Sequence, residues 1–172
     1  MVSRVVSRFT VCTVTFNNLS DVKDFLKSIK ESKIEVPFNF VIIDNDSSDG
    51  CIEYIFKLRK EDIHENCVEF MCYGNGRNKG YLLGINQGIR MGFDSNSEYV
   101  IAIDSNIKLH PSCIQSLYNT AEEHKEIDFF TAGNCDNDYL IKELKEEDFN
   151  DLSLSCLLMN RQALDKLEKL FI

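Results

Sequence analysis

Two short polar segments of this 172-residue chain carry side chains that could bind a metal ion or a polar ligand. The stretch at residues 99–106 is an apolar run that ends on Asp104, Ser105 and Asn106, and a second apolar run ends on the acidic segment at residues 44–50. Carboxylate and amide oxygens are the ligands that hard divalent cations prefer. Asp104 could instead cap the next helix or shape a turn, because aspartate is common at such positions.

Spacing excludes three familiar ligand-binding motifs in this chain. With Asn45 at the first position of an EF-hand loop, the twelfth position falls on Phe56 where a glutamate is required. A dinucleotide-binding motif that starts at Gly74 would need a glycine where Lys79 stands, and no Gly-Lys-Ser/Thr sequence of a P-loop is present.

The glycine-rich segment at residues 74–88 nevertheless opens a predicted helix, residues 81–91. Gly84 and Gly88 lie on one face of that helix, where a ligand or a neighbouring backbone could approach closely. Tight packing of the helix on a sheet would explain the same two glycines equally well.

The pattern of strands and helices around these segments predicts an α/β fold. Short apolar runs are typical of buried strands, and apolar residues at i, i+3, i+4 and i+7 indicate helices between them. We therefore expect a mostly parallel sheet of about six strands with helices on both faces, and ligands bind such sheets at the carboxyl edge. The predicted strands are residues 9–16, 38–43, 67–73, 99–106, 127–132 and 152–159, and residues 136–151 are expected to form an irregular acidic loop.

Composition indicates one domain, residues 1–172, of ordinary globular character, with 44% hydrophobic and 27% charged residues. The net charge of -9 argues against a nucleic-acid partner or an anionic membrane surface. The seven cysteines are scattered without a Cys-x-x-Cys spacing, so we interpret them as reduced, mostly buried thiols. No segment has the length of a signal peptide or a transmembrane span, and a cytoplasmic location is the expectation.

Four segments, in this order, carry a resemblance to a known family. They are Thr13-Val-Thr-Phe-Asn-Asn18, Val41-Ile-Ile-Asp-Asn-Asp-Ser-Ser-Asp-Gly50, Asn78-Lys-Gly-Tyr-Leu-Leu-Gly-Ile-Asn-Gln-Gly88 and the stretch at residues 99–106. Together they resemble the nucleotide-sugar-binding half of family 2 glycosyltransferases with the GT-A fold, a Rossmann-like fold, and in particular the rhamnosyltransferase-like branch. The similarity spans residues 11–160.

The resemblance implies a role for each matching residue. Thr15, Phe16 and Asn17 would line the base pocket, and Asp44 would bind the edge of a pyrimidine base. The remaining implied contacts to the nucleotide sugar are Asn45, Asn78, Gly80 and Asp104, with Asn78 and Gly80 beside the ribose and the diphosphate.

The resemblance also implies a metal and a reaction. Asp104-Ser105-Asn106 falls on the family's Asp-x-Asp motif, so Asp104 and Asn106 would hold a divalent cation, Mn²⁺ or Mg²⁺. The cation would stabilise the charge that develops on the nucleoside diphosphate as an inverting transfer moves the sugar to an acceptor hydroxyl, for example in polysaccharide biosynthesis. A base must also accept the proton of that hydroxyl, and no residue of this chain is assigned to it.

Two departures from the family pattern keep a second function open. Asn106 stands where the family has its usual metal-binding aspartate, and the chain ends where the family continues into the segment that carries the base and the acceptor contacts. We therefore expect either a glycosyltransferase or its donor-binding domain, with a partner chain or domain supplying the acceptor site, or an inactive module that binds a nucleotide or a protein partner. Nucleotidyl transfer is disfavoured because no glycine-rich, lysine-containing loop follows the first strand.

Overall fold

The computed structural model describes residues 6–135, 138–143 and 155–164, and it has the predicted α/β fold. Seven strands and five helices are present in these residues. The strands are β1 (Phe9–Thr15), β2 (Phe38–Asp44), β3 (Cys67–Gly74), β4 (Tyr99–Ile103), β5 (Phe129–Cys135), β6 (Asp138–Glu143) and β7 (Cys156–Asn160). The helices are α1 (Leu19–Lys30), α2 (Cys51–Ile55), α3 (Lys60–Ile63), α4 (Tyr81–Asp94) and α5 (Cys113–Glu123).

The strands form one sheet in the order β3-β2-β1-β4-β7-β5-β6. The first four strands are parallel, as the helical connections between them require, and β1 lies between β2 and β4. The last three strands are antiparallel to their neighbours, so the sheet is mixed. Every residue of β1, β2 and β4 is buried, which explains why the sequences of these strands are mostly apolar.

Helices cover both faces of the sheet, as predicted. On one face α1, α2 and α5 pack over a core that contains Phe9, Phe40 and Ile101. On the other face α4 covers Cys12, Val41 and further buried residues of β1, β2 and β4. None of the helices in the described residues is both long and apolar enough to cross a membrane.

Three glycines let α4 lie unusually close to the sheet. A Cβ atom at Gly84 would lie 2.9 Å from Val14 Cγ1, and one at Gly92 would lie 2.8 Å from Val100 Cγ2. At Gly88 the corresponding distance, to the Cβ of Cys12, is 3.1 Å. The packing explanation therefore accounts for Gly84 and Gly88, because a larger side chain at either position would overlap the sheet.

The structure differs from the sequence predictions in two places, and it describes one predicted strand only in part. The expected irregular loop at residues 136–151 contains strand β6, which forms a hairpin with β5. A single helical turn, α3, which was not predicted from the sequence, precedes β3. The last predicted strand, residues 152–159, corresponds to β7, and its first three residues lie outside the described residues.

Candidate functional site

A cleft of about 510 Å³ opens at the carboxyl edge of the parallel strands. It lies where β1, β2 and β4 end and where α4 begins, and the loop between β3 and α4 contributes Asn78 and Gly80, so the loops after all four parallel strands take part. This is the edge at which open α/β sheets bind ligands. Its lining comprises Val14, Thr15, Phe16, Asn18, Asp21, Asn45, Asn78, Gly80, Tyr81, Asp104, Ser105 and Asn106.

Most of the residues that the sequence singled out meet in this cleft. The predicted residues that line it are Thr15, Phe16, Asn45, Asn78, Gly80, Asp104 and Asn106. Asn17 and Asp44 are not among the lining residues. Four segments that are as much as 91 positions apart in the sequence are thus brought to one place by the parallel order of the strands.

Asp44 and Asn17 join the loop after β1 to the loop after β2. The Asp44 side chain is only 1% exposed and accepts hydrogen bonds from Thr15 Oγ1 and from the Ser47 amide, each at 2.9 Å. The Asn17 amide donates to Ser47 Oγ at 3.0 Å, while Asn17 Oδ1 accepts from the Ser48 amide at 2.7 Å. Both side chains therefore fix the wall of the cleft on which Thr15 and Phe16 lie.

Ser105 fixes the loop that carries Asp104 and Asn106. Its hydroxyl donates to the Val14 carbonyl oxygen at 2.8 Å and accepts a hydrogen bond from Asn18 Nδ2 at 2.8 Å. Because Ser105 is buried, these two bonds attach the end of β4 to the end of β1. Asp104 and Asn106, which flank Ser105, are thereby held at the opening of the cleft.

Tyr81 links Asp104 to the first turn of α4. Burial raises the pKa of the Tyr81 phenol well above its ordinary value, and the hydrogen bond that it makes with the Asp104 side chain raises the pKa further. The phenol therefore stays protonated at neutral pH and donates to the Asp104 carboxylate. This contact orients the carboxylate toward the cleft that both residues line.

A chain of amides holds the loop that precedes α4. Asn45 Nδ2 donates to the Gly80 carbonyl oxygen at 3.0 Å and Asn75 Nδ2 donates to Asn45 Oδ1 at 2.8 Å. Lys79 Nζ donates to Asn75 Oδ1, and the Gly80 amide donates to Asn78 Oδ1, each at 2.8 Å. Gly80 has φ +83°, a left-handed conformation that favours glycine, and it lets the chain turn into α4.

The amino end of α4 adds a feature for binding an anion. The N-cap residue of this 14-residue helix is Gly80, which has no side chain that could accept a hydrogen bond from the first amides. Unpaired amides and the positive end of the helix dipole make such a terminus favourable for phosphate. The amino end of α4, where Gly80 and Tyr81 line the cleft, therefore suits a diphosphate even though the whole chain is acidic.

The same cleft has the donors for a divalent cation that takes most of its ligands from phosphate and water. Asp104 offers a carboxylate and Asn106 a neutral carbonyl oxygen, and the Asp21 carboxylate also lines the cleft. Residues 6–135, 138–143 and 155–164 contain no cluster of three or more His, Cys, Asp or Glu side chains suited to a metal ion. This donor set fits Mg²⁺ or Mn²⁺ bound through one or two protein groups plus a diphosphate, and does not fit a metal enclosed by protein ligands alone.

Five lining residues were not assigned to the site from the sequence: Val14, Asn18, Asp21, Tyr81 and Ser105. Asn18 and Ser105 lie inside recognised segments, but their roles depend on a hydrogen bond between residues 87 positions apart. Tyr81 was identified as the start of a helix, and its contact with Asp104 follows only from the way α4 crosses the sheet.

Comparison with known proteins gives a family and a set of related folds. The family model described as glycosyl transferase family 2 matches residues 10–167. No curated protein matches the sequence. The structures of TarS residues 1–349 from S. aureus in complex with UDP (19% identity, TM-score 0.68) and of the mannosyltransferase PcManGT from Pyrobaculum calidifontis in complex with GDP-Man and Mn²⁺ (16% identity, TM-score 0.67) are similar to this chain.

These structural similarities concern the fold, since the identities are low. Each of the two alignments covers 94% of this chain, but only 49% of the TarS fragment and 46% of PcManGT. In a longer structure of S. aureus TarS the covered share is 29%. The chain therefore spans about half of these similar structures or less.

Proposed function

The chain belongs to glycosyl transferase family 2, and from this membership we propose that it binds a nucleoside-diphosphate sugar and supplies the donor site for an inverting, metal-assisted transfer to an acceptor hydroxyl. The observation that supports the proposal most directly is the cleft at the carboxyl edge. There the Asp104 loop, the Thr15 loop and the amino end of α4 face one space of about 510 Å³. We further propose that, within this family, the chain is related to the rhamnosyltransferase-like branch.

The proposed arrangement assigns a part of the ligand to each wall of the cleft. Thr15 and Phe16 contact the base, and Asp44 and Asn17 contribute to the base pocket directly or through the loop they hold. Asn78 and Gly80 lie beside the ribose and the diphosphate, with Asn45 supporting them through its bond to Gly80. Phe16 is 44% exposed, and an aromatic ring with an open face can stack on a base.

Asp104 and Asn106 would hold the divalent cation in this proposal. When bound, the cation stabilises the negative charge that grows on the departing diphosphate. Tyr81 orients the Asp104 carboxylate, and the first amides of α4 donate to phosphate oxygens. The acceptor, a glycan or another hydroxyl compound, and the base that accepts its proton are assigned to a further domain or a partner chain. A cytoplasmic location agrees with the unbridged cysteines of the described residues, of which Cys12, Cys51, Cys67, Cys113 and Cys156 are buried.

A second candidate function is a non-catalytic module that binds a nucleotide or a protein partner. Asn106 favours this alternative, because a neutral amide replaces the aspartate of the family motif at the point where charge is needed most. Both candidates use the same cleft, so binding alone cannot separate them.

Calorimetric titration with UDP-, dTDP- and GDP-sugars, each with Mn²⁺ and with EDTA, tests the proposal. We expect saturable binding of at least one nucleotide sugar, stronger with Mn²⁺, and weakened by Asp104→Asn but unchanged by Asp24→Asn on the outer face of α1. Release of the free nucleoside diphosphate in the presence of an acceptor would favour the enzyme. Binding without metal dependence or turnover would favour the module, and no binding by any of these ligands would disprove the donor site.

A further inference from the structure

A second cleft, of about 310 Å³, lies at the opposite edge of the sheet from the nucleotide cleft. It is formed where β2 and β3 begin and where α4 ends. We call it the amino-edge cleft and define it by Ser7, Asn39, Glu69, Asp94 and Asn96, together with the adjacent lining residues. None of these residues takes part in the proposed transfer.

Asn39 is the first sign of a ligand in the amino-edge cleft. Asn39 is buried, with a relative exposure of 3%. It stands in register between Thr10 of β1 and Glu69 of β3. No hydrogen bond connects the Asn39 amide to another group in the described part of the chain. Among the described residues, Thr13 Oγ1 is the one fully buried side-chain polar atom that lacks a partner, so the amide of Asn39 opens on the cleft that this residue lines, where a ligand can reach it.

The polar groups beside Asn39 have hydrogen-bond partners, so the absence of a partner is specific to the Asn39 amide. Thr10 Oγ1 and Ser97 Oγ are joined by a hydrogen bond of 2.8 Å, and Ser97 Oγ also lies 3.3 Å from Ser7 Oγ. This small hydroxyl network closes the floor of the cleft next to β1. The Asn39 carbonyl oxygen and amino group are left to interact with whatever occupies the cleft.

The charge around the amino-edge cleft favours a cation. Glu69 and Asp94 both line it with exposed side chains, and no described basic residue forms a salt bridge with either carboxylate. The carboxyl end of α4 lies at the same place and contributes the negative end of its dipole. Because two acids and a helix terminus are not enough for a metal ion that needs several protein ligands, an organic cation fits better.

The chain already binds a guanidinium group at this end of α4. Arg161 Nη2 donates to the Phe93 carbonyl oxygen at 2.6 Å and to the Ser97 carbonyl oxygen at 3.3 Å, and its guanidinium carbon lies 5.3 Å from the Phe93 ring centre. These carbonyls show that the carboxyl end of α4 can accept hydrogen bonds from a planar cation. Arg161 is not among the residues that line the amino-edge cleft, so the cleft remains available to a second one.

We propose that the amino-edge cleft binds an alkylguanidinium group, supplied either by a small molecule or by an arginine side chain of a peptide. The guanidinium would donate to the Glu69 and Asp94 carboxylates, since its five N–H groups match two carboxylates and one amide oxygen. The Asn39 amide oxygen would be the third acceptor. The volume of the cleft limits the ligand to a small group.

Titration of the full chain with butylguanidinium, followed by amide chemical shifts, tests this proposal. We expect saturable shifts at residues of β2, β3 and the end of α4, and none with butylurea, a neutral molecule of similar shape. Asp94→Asn and Glu69→Gln should each weaken binding about fivefold, the effect of one charge near 4 Å in water. The matched control, Asp24→Asn, removes an exposed carboxylate on α1 and should leave binding unchanged.

Asn39→Leu should weaken butylguanidinium binding at least as much while the chain remains folded by circular dichroism. If Asn39→Leu does not fold, the two variants of exposed carboxylates decide the question, because neither supports the core. A peptide Ala-Arg-Ala with blocked ends distinguishes the source of the group: tighter binding than butylguanidinium indicates a protein ligand, and weaker binding a small molecule. Equal shifts with butylurea, or binding insensitive to both carboxylate variants, would overturn the proposal.

Discussion

Asn106 is the residue whose chemistry decides how strongly the candidate site can hold a metal. It is exposed beside Asp104, on a loop fixed by Ser105. We predict that Asn106→Asp strengthens Mn²⁺-dependent binding of UDP about fivefold, because a second carboxylate adds a full charge where a neutral oxygen now stands. Asp104→Asn should weaken the same binding by a similar factor. Dissociation constants from calorimetry measure both effects.

The sign of the Asn106→Asp effect should reverse in EDTA. Without the cation, an added negative charge lies near the phosphates and repels them by about 1 kcal/mol at 4 Å in bulk water. If Asn106 only shapes a turn, aspartate should replace it without effect in either buffer, since both residues form turns well. Unchanged, metal-independent affinity would therefore rule out the metal site.

Thr13 carries a buried hydroxyl without a hydrogen-bond partner, so its replacement tests how much this group costs in folding free energy. Its side chain is fully buried in β1, and in the described part of the chain Thr13 Oγ1 has no hydrogen bond. Thr13→Val should raise the free energy of unfolding by about 1 kcal/mol, because it replaces an unpaired hydroxyl by a methyl group of similar size.

Thr10→Val is the matched control for Thr13→Val. Thr10 is also fully buried in β1, but its hydroxyl is bonded to Ser97 at 2.8 Å. Its replacement should therefore lower the free energy of unfolding by about 1 kcal/mol. Urea denaturation of the two variants measures both changes, and equal effects would show that the hydrogen bond to Ser97 contributes nothing.

The residues of the candidate site could be predicted from the sequence where they stand at the end of a predicted strand. Asp104 and Thr15 line the cleft because an apolar run must end at the sheet's carboxyl edge. Asp44 ends a strand in the same way, yet its carboxylate bonds to Thr15 and the Ser47 amide behind the lining. The sequence could not show this difference, because the direction of a side chain depends on which neighbouring loop supplies its donors.

At the scale of elements, α4 is the helix with the strictest packing requirement. Gly92→Ala should lower the free energy of unfolding by about 2 kcal/mol, because the new methyl group would lie 2.8 Å from Val100 and 3.0 Å from the Cβ of Thr10. Both neighbours are β-branched and stiff at χ1, so they cannot move aside easily. The loss of stability from this clash should exceed the gain of about 1 kcal/mol that alanine brings over glycine in helix propensity.

A double variant separates the clash of Gly92→Ala from other effects. Val100→Ala removes the closest atom, so the cost of Gly92→Ala should be smaller in the Val100→Ala background than in the parent chain. Chemical denaturation of the four proteins gives the coupling free energy. Strictly additive costs would mean that α4 shifts on the sheet instead of pressing on Val100.

The helices and strands with a long apolar pattern were predicted, and the shortest or least regular were not. Strands β1, β2 and β4 agree with the predicted runs because all their side chains are buried. The hairpin of β5 and β6 was predicted only in its first strand, since residues 136–151 are rich in acids that obscure the alternation of a strand. The antiparallel direction of β7 depends on a connection that periodicity does not encode.

For the whole molecule, ligand binding should appear as a gain in thermal stability. UDP at about 100 times its dissociation constant, with Mn²⁺ present, adds about 2.7 kcal/mol to the folded state. For a domain of this size that corresponds to a rise of about 5 to 10 °C in Tm. Differential scanning fluorimetry measures the shift, which should decrease in EDTA and in Asp104→Asn. An equal shift in all three conditions would contradict the proposed site.

The position of β1 in the middle of the parallel strands has a consequence for synthesis on the ribosome. Phe9 pairs with Phe38 on one side and with Tyr99 on the other, so one edge of β1 has no partner until β4 has emerged. The nascent chain must therefore keep the unpaired edge of β1 from pairing with other chains while about ninety residues are made. We expect a chain released after residue 98 to aggregate in a sedimentation assay, and one released after residue 164 to remain in solution.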